Sequence, residues 1–279
     1  MKKIWGIRQG MIGDSIMSLP VLNHLEKIYP GSYKIFVIGK KFSQSAELYI
    51  NHPLIDRIHI LENDETAGPK DIILMNQCDI SININPQHKS PDWYTQNDCI
   101  EETFMMAGFE LSELKALPDH EQKPQLYKWW KNYDSINIKT ISIFPFAGYG
   151  VMSKRSPSSK WWSNLIPKII TSGYNVFHFG SPNEPVLSEN SKYVNLTHLP
   201  FFDMIKLAMT TKISIGTDSG SSWAIGAYGH NQINLLTNYP EFSNGLIPSN
   251  CLNRSVNLFA LNGCDNIDHD LILEIISNT

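Results

Sequence analysis

The chain has 279 residues, 42% of them hydrophobic and 18% charged, which is apolar mass enough for packed cores and argues against wholesale disorder. Its formal net charge is -4, with the acidic excess confined to residues 1–130, which argues against a protein that coats a polyanion; any phosphate site must be local. The length allows two small domains or one large one.

Taken in order, short β-branched runs alternate with helical stretches. Lys3–Ile7 is predicted as a strand. Asp14–Tyr29 is predicted as one helix, with Ile16, Leu19, Leu22, Leu25 and Ile28 on one face and Pro30-Gly31 as its stop. Tyr33–Ile38 is a strand and Phe42–Ile50 a helix. Arg57–Leu61 and Asp79–Ile84 are strands, and Asp92–Ala107 is a helix with Gly108 as its C-cap. Residues 110–138, with Pro118 and Pro124, break the rhythm and are expected to form the crossing between two halves. The second half runs strand Thr140–Phe144, helix Ser159–Thr171, strand Asn175–Phe179 and helix Phe201–Thr210. Strand Lys212–Ile215, helix Ser219–Tyr228, strand Gln232–Leu236 and a closing helix Asp268–Ser277 follow. Such alternation predicts parallel sheets built from βαβ units, in two doubly wound α/β domains spanning residues 1–125 and 139–279 and facing a cleft. Ligands in such sheets sit at the carboxyl ends of the strands, so the chemistry is sought in the loops that follow them.

Four of these loops are informative. After the first strand come Gly10, Gly13, Asp14 and Ser15: glycines that allow close backbone approach, and an acid at a helix mouth. A helix cap and a turn would explain the same residues. After Thr140–Phe144 comes a loop with Gly148, Gly150, Lys154 and Arg155, fit to wrap a diphosphate; a solvated basic pair is the alternative. Glu184 follows Asn175–Phe179 and is placed to accept from a ribose diol or to sit exposed in a turn. The run Asp218-Ser219-Gly220-Ser221-Ser222 opens a helix, where unpaired N–H groups bind phosphate; a cap accounts for one of these residues and not for the run.

The order of these segments resembles glycosyltransferase family 9, the lipopolysaccharide heptosyltransferases. The resemblance lies in Ile7, Gly13-Asp14-Ser15, Leu19-Pro20, Leu25 and Tyr29-Pro30. It continues in Lys154-Arg155-Ser156-Pro157, in Phe179-Gly180-Ser181-Pro182-Asn183-Glu184 and in Asp218-Ser219-Gly220. It covers most of the chain and is weakest from about 85 to 138. Two positions depart from the family pattern: Ser156 stands where a tryptophan is common, and Trp223 where a histidine is usual.

The resemblance implies the GT-B architecture, two Rossmann-like domains with the acceptor on the N-terminal one and the nucleotide-sugar on the C-terminal one. It implies an inverting, metal-independent transfer of a sugar, heptose being one candidate, from a nucleotide-diphosphate donor to a lipopolysaccharide or other surface-glycan acceptor. Asp14 would be the general base, with Gly10, Gly13 and Ser15 forming its acceptor-side loop. Lys154 and Arg155 would neutralise the diphosphate, with Lys160 as a rival for the lysine's place. Ser219, Gly220 and Ser222 would bind the same group, Glu184 the ribose, and Asp218 would orient the donor loop or sugar. A non-catalytic nucleotide-sugar binder and an epimerase-type enzyme of the same architecture are the competing functions.

Other features are expected to be structural. Asp268-His269-Asp270 has the metal-binding Asp-x-Asp spacing but opens the last helix, and a cap is expected there; no metal and no other cofactor is predicted. His178, between Phe177 and Phe179, is expected to be a packed strand residue. Of Trp161 and Trp162, one ring is expected in the core and one at an edge. Cys78, Cys99, Cys251 and Cys264 show neither a C-x-x-C pair nor zinc spacing, and a reduced compartment follows. There is no signal-like apolar stretch and no window near the ~18 apolar residues of a membrane span. The expectation is a cytoplasmic protein, peripheral to the membrane at most, that binds no nucleic acid.

Overall fold

The computed structural model describes residues 1–8, 11–64, 66–84, 99–130, 137–147, 155–237, 255–260 and 263–279. They form two compact units, Met1–Trp130 and Lys131–Thr279. Each is an α/β layer structure around a wholly parallel sheet.

The first unit contains strands β1 (Lys3–Arg8), β2 (Tyr33–Ile38), β3 (Arg57–Ile60) and β4 (Ile80–Ile84), in the spatial order β3-β2-β1-β4. The two inner strands are buried on both faces and so read as near-continuous apolar runs. Trp5, Ile35, Val37 and Leu61 face helix α3 (Pro69–Met75), whose Leu74 and Met75 pack against them. Ile4, Gly6, Phe36, Ile82 and Ile84 face the opposite way, towards Val21, Leu22 and Leu25.

The predicted helix over 14–29 is two helices, α1 (Ile12–Met17) and α2 (Leu19–Ile28). The cause is Pro20: it has no N–H to give, and its ring would clash with the carbonyl of Ile16 in a continuous helix. The Ser18 hydroxyl stitches the break by donating to Ser15 O at 2.7 Å. The stretch over 42–50 is a 3₁₀ run, Lys40–Tyr49. Helix α4 (Cys99–Met106) covers part of the predicted 92–107, and residues 92–98 lie outside the described residues. Gly108 follows at φ +92°, a left-handed cap that costs glycine nothing. Helix α3 is absent from the sequence reading. So is α5 (Leu111–Lys115), which packs on α2 and α4. The segment after α5, expected in the crossing, stays on the first unit: Asn23 Nδ2 donates to Glu121 O, Asn51 Nδ2 to Lys128 O and Trp129 Nε1 to Glu47 O.

The second unit has strands β5 (Asn137–Phe144), β6 (Asn175–His178), β7 (Tyr193–Asn195), β8 (Thr211–Thr217), β9 (Gln232–Thr237) and β10 (Ser255–Ala260), in the order β10-β9-β8-β5-β6-β7. Helices α6 (Ser159–Thr171) and α9 (His269–Asn278) cover one face through Trp162, Leu165, Ile166, Ile169, Ile272 and Ile276. Helices α7 (Phe201–Ala208) and α8 (Gly220–Ala227) cover the other. The short strands β7 and β10 were not predicted. Both tryptophan rings are buried, against the expectation of one at an edge: Trp161 Nε1 donates to Ile267 O and Trp162 Nε1 to Pro145 O, so each indole N–H finds a carbonyl inside the fold.

Candidate functional site

In the second unit the chain winds outward from β5 through β6 to β7, then returns to lay β8, β9 and β10 on the other side. The order reverses between β5 and β8, and open α/β sheets bind ligands at that switch point, outside the carboxyl ends of the strands. The loops after β5, β6 and β8, three adjacent strands, all leave from that end.

Two sequence-predicted residues meet there. Arg155, from the loop after β5, places Nη1 3.4 Å from Asp218 Oδ2, at the end of β8. The other oxygen of Asp218 accepts from Trp223 Nε1 at 3.2 Å. Where a histidine would offer a titratable nitrogen, the tryptophan gives a permanent donor, so this carboxylate is held from two sides. The pair is largely buried, with side chains 22% and 10% exposed.

The loop that carries Arg155 is tied at several points. Ser156 Oγ accepts from Ala147 N at 2.8 Å, Asp265 Oδ1 from Ser158 N at 2.6 Å, and the carbonyl of Arg155 from Cys264 Sγ at 3.4 Å. Burial, aided by the charge of Asp265, pushes the Cys264 thiol up to about 12, so it stays protonated and able to donate. Ser156 has no ring to pack, but its hydroxyl closes the loop onto its own first residues, just past the end of β5. Lys154, Gly148 and Gly150 lie outside the described residues. Lys160, the rival to Lys154, is exposed in the first turn of α6.

Ser219 is the N-cap of α8 and its Oγ accepts from Ser222 N at 3.3 Å. Ser222 Oγ turns inward and donates to Thr217 O at 2.5 Å. Ser222 therefore shapes the turn, and the leading N–H groups of the helix, from Gly220 and Ser221, are the ones that helix geometry leaves without an internal acceptor.

Glu184 is not the exposed turn residue that its loop suggested as an alternative. Its side chain is 6% exposed; Oε2 lies 3.1 Å from His178 Nε2, and Oε1 accepts from Ser181 N at 2.8 Å. His178 is a buried strand residue, as expected, but it is wired to the candidate residue Glu184, which its sequence neighbours did not signal.

In the first unit the order reverses between β1 and β4, and Asp14 follows β1. It is the third residue of α1, and its Oδ2 accepts from Met11 N at 2.7 Å. Asp14 is half-exposed, while Gly13 and Ser15 on either side are buried; Gly10 lies outside the described residues. Among the described residues no group of three or more His, Cys, Asp or Glu gathers in metal-binding geometry. Asp268 caps α9 by accepting from Asp270 N at 2.9 Å, and Asp270 pairs with Lys168. No described helix is long and apolar enough to cross a membrane.

No protein-family model matches the sequence, and no curated protein does. Solved structures resemble it over its whole length, and the class of fold they define is a pair of parallel α/β units. In particular, E. coli ADP-heptose lipopolysaccharide heptosyltransferase II superposes with a TM-score of 0.70 at 14% identity, over 100% of this chain and 98% of that one. A glycosyl transferase of family 9 from Veillonella parvula gives 0.69 at 14%, with the same coverage. A further E. coli heptosyltransferase, solved with ADP, gives 0.62 at 11%, over 99% of each chain. The chain thus has the GT-B-like fold of the heptosyltransferases.

Proposed function

We propose that this chain is a glycosyltransferase that moves a sugar from a nucleoside-diphosphate donor to an acceptor hydroxyl. The observation that carries this reading is the Arg155–Asp218 pair across the switch point of the second unit, beside the hydroxyl-rich start of α8. A cation fixed by a buried carboxylate next to a helix N-terminus suits a diphosphate leaving group. The heptosyltransferase fold supports it. ADP-heptose is accordingly the first donor to test, with a surface glycan such as lipopolysaccharide as the acceptor.

In this mechanism Asp14 takes the proton of the acceptor hydroxyl as its oxygen attacks the anomeric carbon. The bond from that carbon to the diphosphate oxygen breaks in line, inverting the centre, and the leaving diphosphate collects negative charge. Arg155, Lys154 and the N–H groups of α8 stabilise that charge, the task a metal ion performs in other transferases, so turnover should survive chelation of divalent ions. Glu184 accepts from the ribose, and Asp218 holds Arg155 and the donor loop.

Nucleoside diphosphate release from ADP-heptose and related nucleotide-sugars tests this directly. Release that depends on added glycan acceptor is the expected result. Release without acceptor, or none with any donor that raises the melting temperature, overturns the transferase reading.

A further inference from the structure

Beyond the site residues themselves, a line of buried polar groups runs inward from Glu184 to β7. The backbone N–H of Leu187 donates to the Tyr193 hydroxyl oxygen at 3.1 Å. The hydroxyl proton is thereby left for His178 Nδ1, 2.6 Å away. With Nδ1 accepting there, the ring N–H of His178 stands on Nε2, which faces Glu184 Oε2 at 3.1 Å. Burial first, then the negative charge of Glu184, raises the Tyr193 hydroxyl above its usual value despite the Leu187 N–H, so Tyr193 remains a donor. His178 is fully buried and Tyr193 nearly so. At Gly180 a Cβ would overlap the Glu184 carboxylate, so the acid lies against a bare backbone. Strand β7 pairs with β6, setting Tyr193 opposite Val176 and within reach of His178.

We infer that Tyr193 and His178 are positioning residues that fix the Glu184 carboxylate as the acceptor of the ribose diol, making the site selective for ribose over a sugar without those hydroxyls. The inference rests on the nucleotide-sugar reading above and on Glu184 as its ribose acceptor. The histidine ring N–H orients the acid, and each carboxylate oxygen, already accepting one hydrogen bond, keeps a further lone pair for a sugar hydroxyl. A nucleotide lacking the hydroxyls leaves that buried carboxylate short of donors, the situation in which polar sites discriminate most strongly.

The test is calorimetric binding of ADP, UDP and GDP and of their 2′,3′-dideoxy forms to the full chain, with melting temperatures alongside. For the base that binds, the ribo form should be favoured by roughly 10- to 100-fold, as expected for hydrogen bonds to a charged group. Glu184→Gln and His178→Phe should bring that ratio close to one, and Tyr193→Phe, which removes a single oxygen, should lower it several-fold. His178→Gln, whose amide can donate to Glu184, should recover part of it. A merely structural role would lower the melting temperature and weaken both forms alike, leaving the ratio intact. An unchanged ratio in folded His178→Phe overturns the inference, and if that variant does not fold, an unchanged ratio in Tyr193→Phe does. A wild type that binds ribo and dideoxy forms equally overturns it and leaves the donor reading standing. A wild type that binds none of the three diphosphates overturns both.

Discussion

Each unit places one candidate residue just after its first strand, Asp14 in the first and Arg155 in the second, beside the reversal of strand order, yet the two points are built differently. Around Asp14 in the first unit, the carboxylate accepts from Met11 N across one turn of a six-residue helix. Around Arg155 in the second, the loop is fastened to its own start at Ala147, to the turn at Cys264–Asp265 and to Asp218, and Trp162 secures Pro145 at its base. The contrast suits the tasks proposed. A leaving group is stabilised best by charges already fixed in place, the task proposed for Arg155.

The largest expected effect comes from Asp14. Asparagine can still accept from Met11 N, so Asp14→Asn should keep its melting temperature while kcat falls by roughly 10²–10⁴-fold, the usual contribution of a general base. Folded Asp14→Asn with near-normal turnover would reduce this residue to a structural role and remove the functional half of the comparison.

Acid should separate the units next. His52 in the first unit is buried, its Nδ1 accepts from Leu54 N at 3.2 Å, and burial pushes its pKa down to about 4 from the usual 6.5. The unfolded chain takes up this proton as pH falls past 6.5 and the folded chain only near 4. The contribution of this histidine to stability therefore declines across that window and is gone below it, a loss on the order of 3 kcal/mol. Hydrogen exchange followed from pH 7 to pH 4.5 should show the first unit opening ahead of the second, and His52→Asn should narrow the gap. Equal loss of protection in both units would contradict the assignment.

Removing the fixed cation is expected to be milder. Arg155→Met should weaken binding of ADP or the preferred diphosphate by roughly 10- to 100-fold and flatten its salt dependence. Titration at two ionic strengths checks both, and an unaltered salt slope would shift the role to Lys154 or Lys160.

The smallest effect, and of opposite sign, belongs to the first unit. Between α2 and its sheet lies a cavity of about 30 Å³ bordered by Gly6, Val21, Leu25, Phe36 and Ile82. Among the described residues, a Cβ on Gly6 would meet only Ile35 O, at 3.8 Å. Gly6→Ala should therefore raise stability by about 0.4–1 kcal/mol, measured by denaturant unfolding. A loss would mean that this sheet is packed as tightly as that of the second unit.

Much of this was legible in one dimension because it is set locally. The alternation of apolar periods gives the βαβ order. Ser159–Thr171 begins after a serine cap, and Asp268 caps α9. Asp14 sits at a helix start, as its sequence neighbours require. These follow from propensity, capping and hydrogen bonds within a turn or two, which a short stretch of chain fixes by itself.

The rest was decided by pairing between residues far apart. Strand β7, three residues long, exists because β6 lies beside it, and no short window of sequence carries that. The break at Ser18 depends on Pro20 outweighing a regular apolar face. Arg155 and Asp218 are 63 positions apart and meet only because β8 returns to lie against β5. Glu184 turns inward because His178 and the hydroxyl of Tyr193 wait beneath it. Sequence determined which chemical groups stand at which strand ends; the tertiary fold decided which of them touch, because hydrogen bonds and ion pairs act over a few ångströms and only strand order sets those distances.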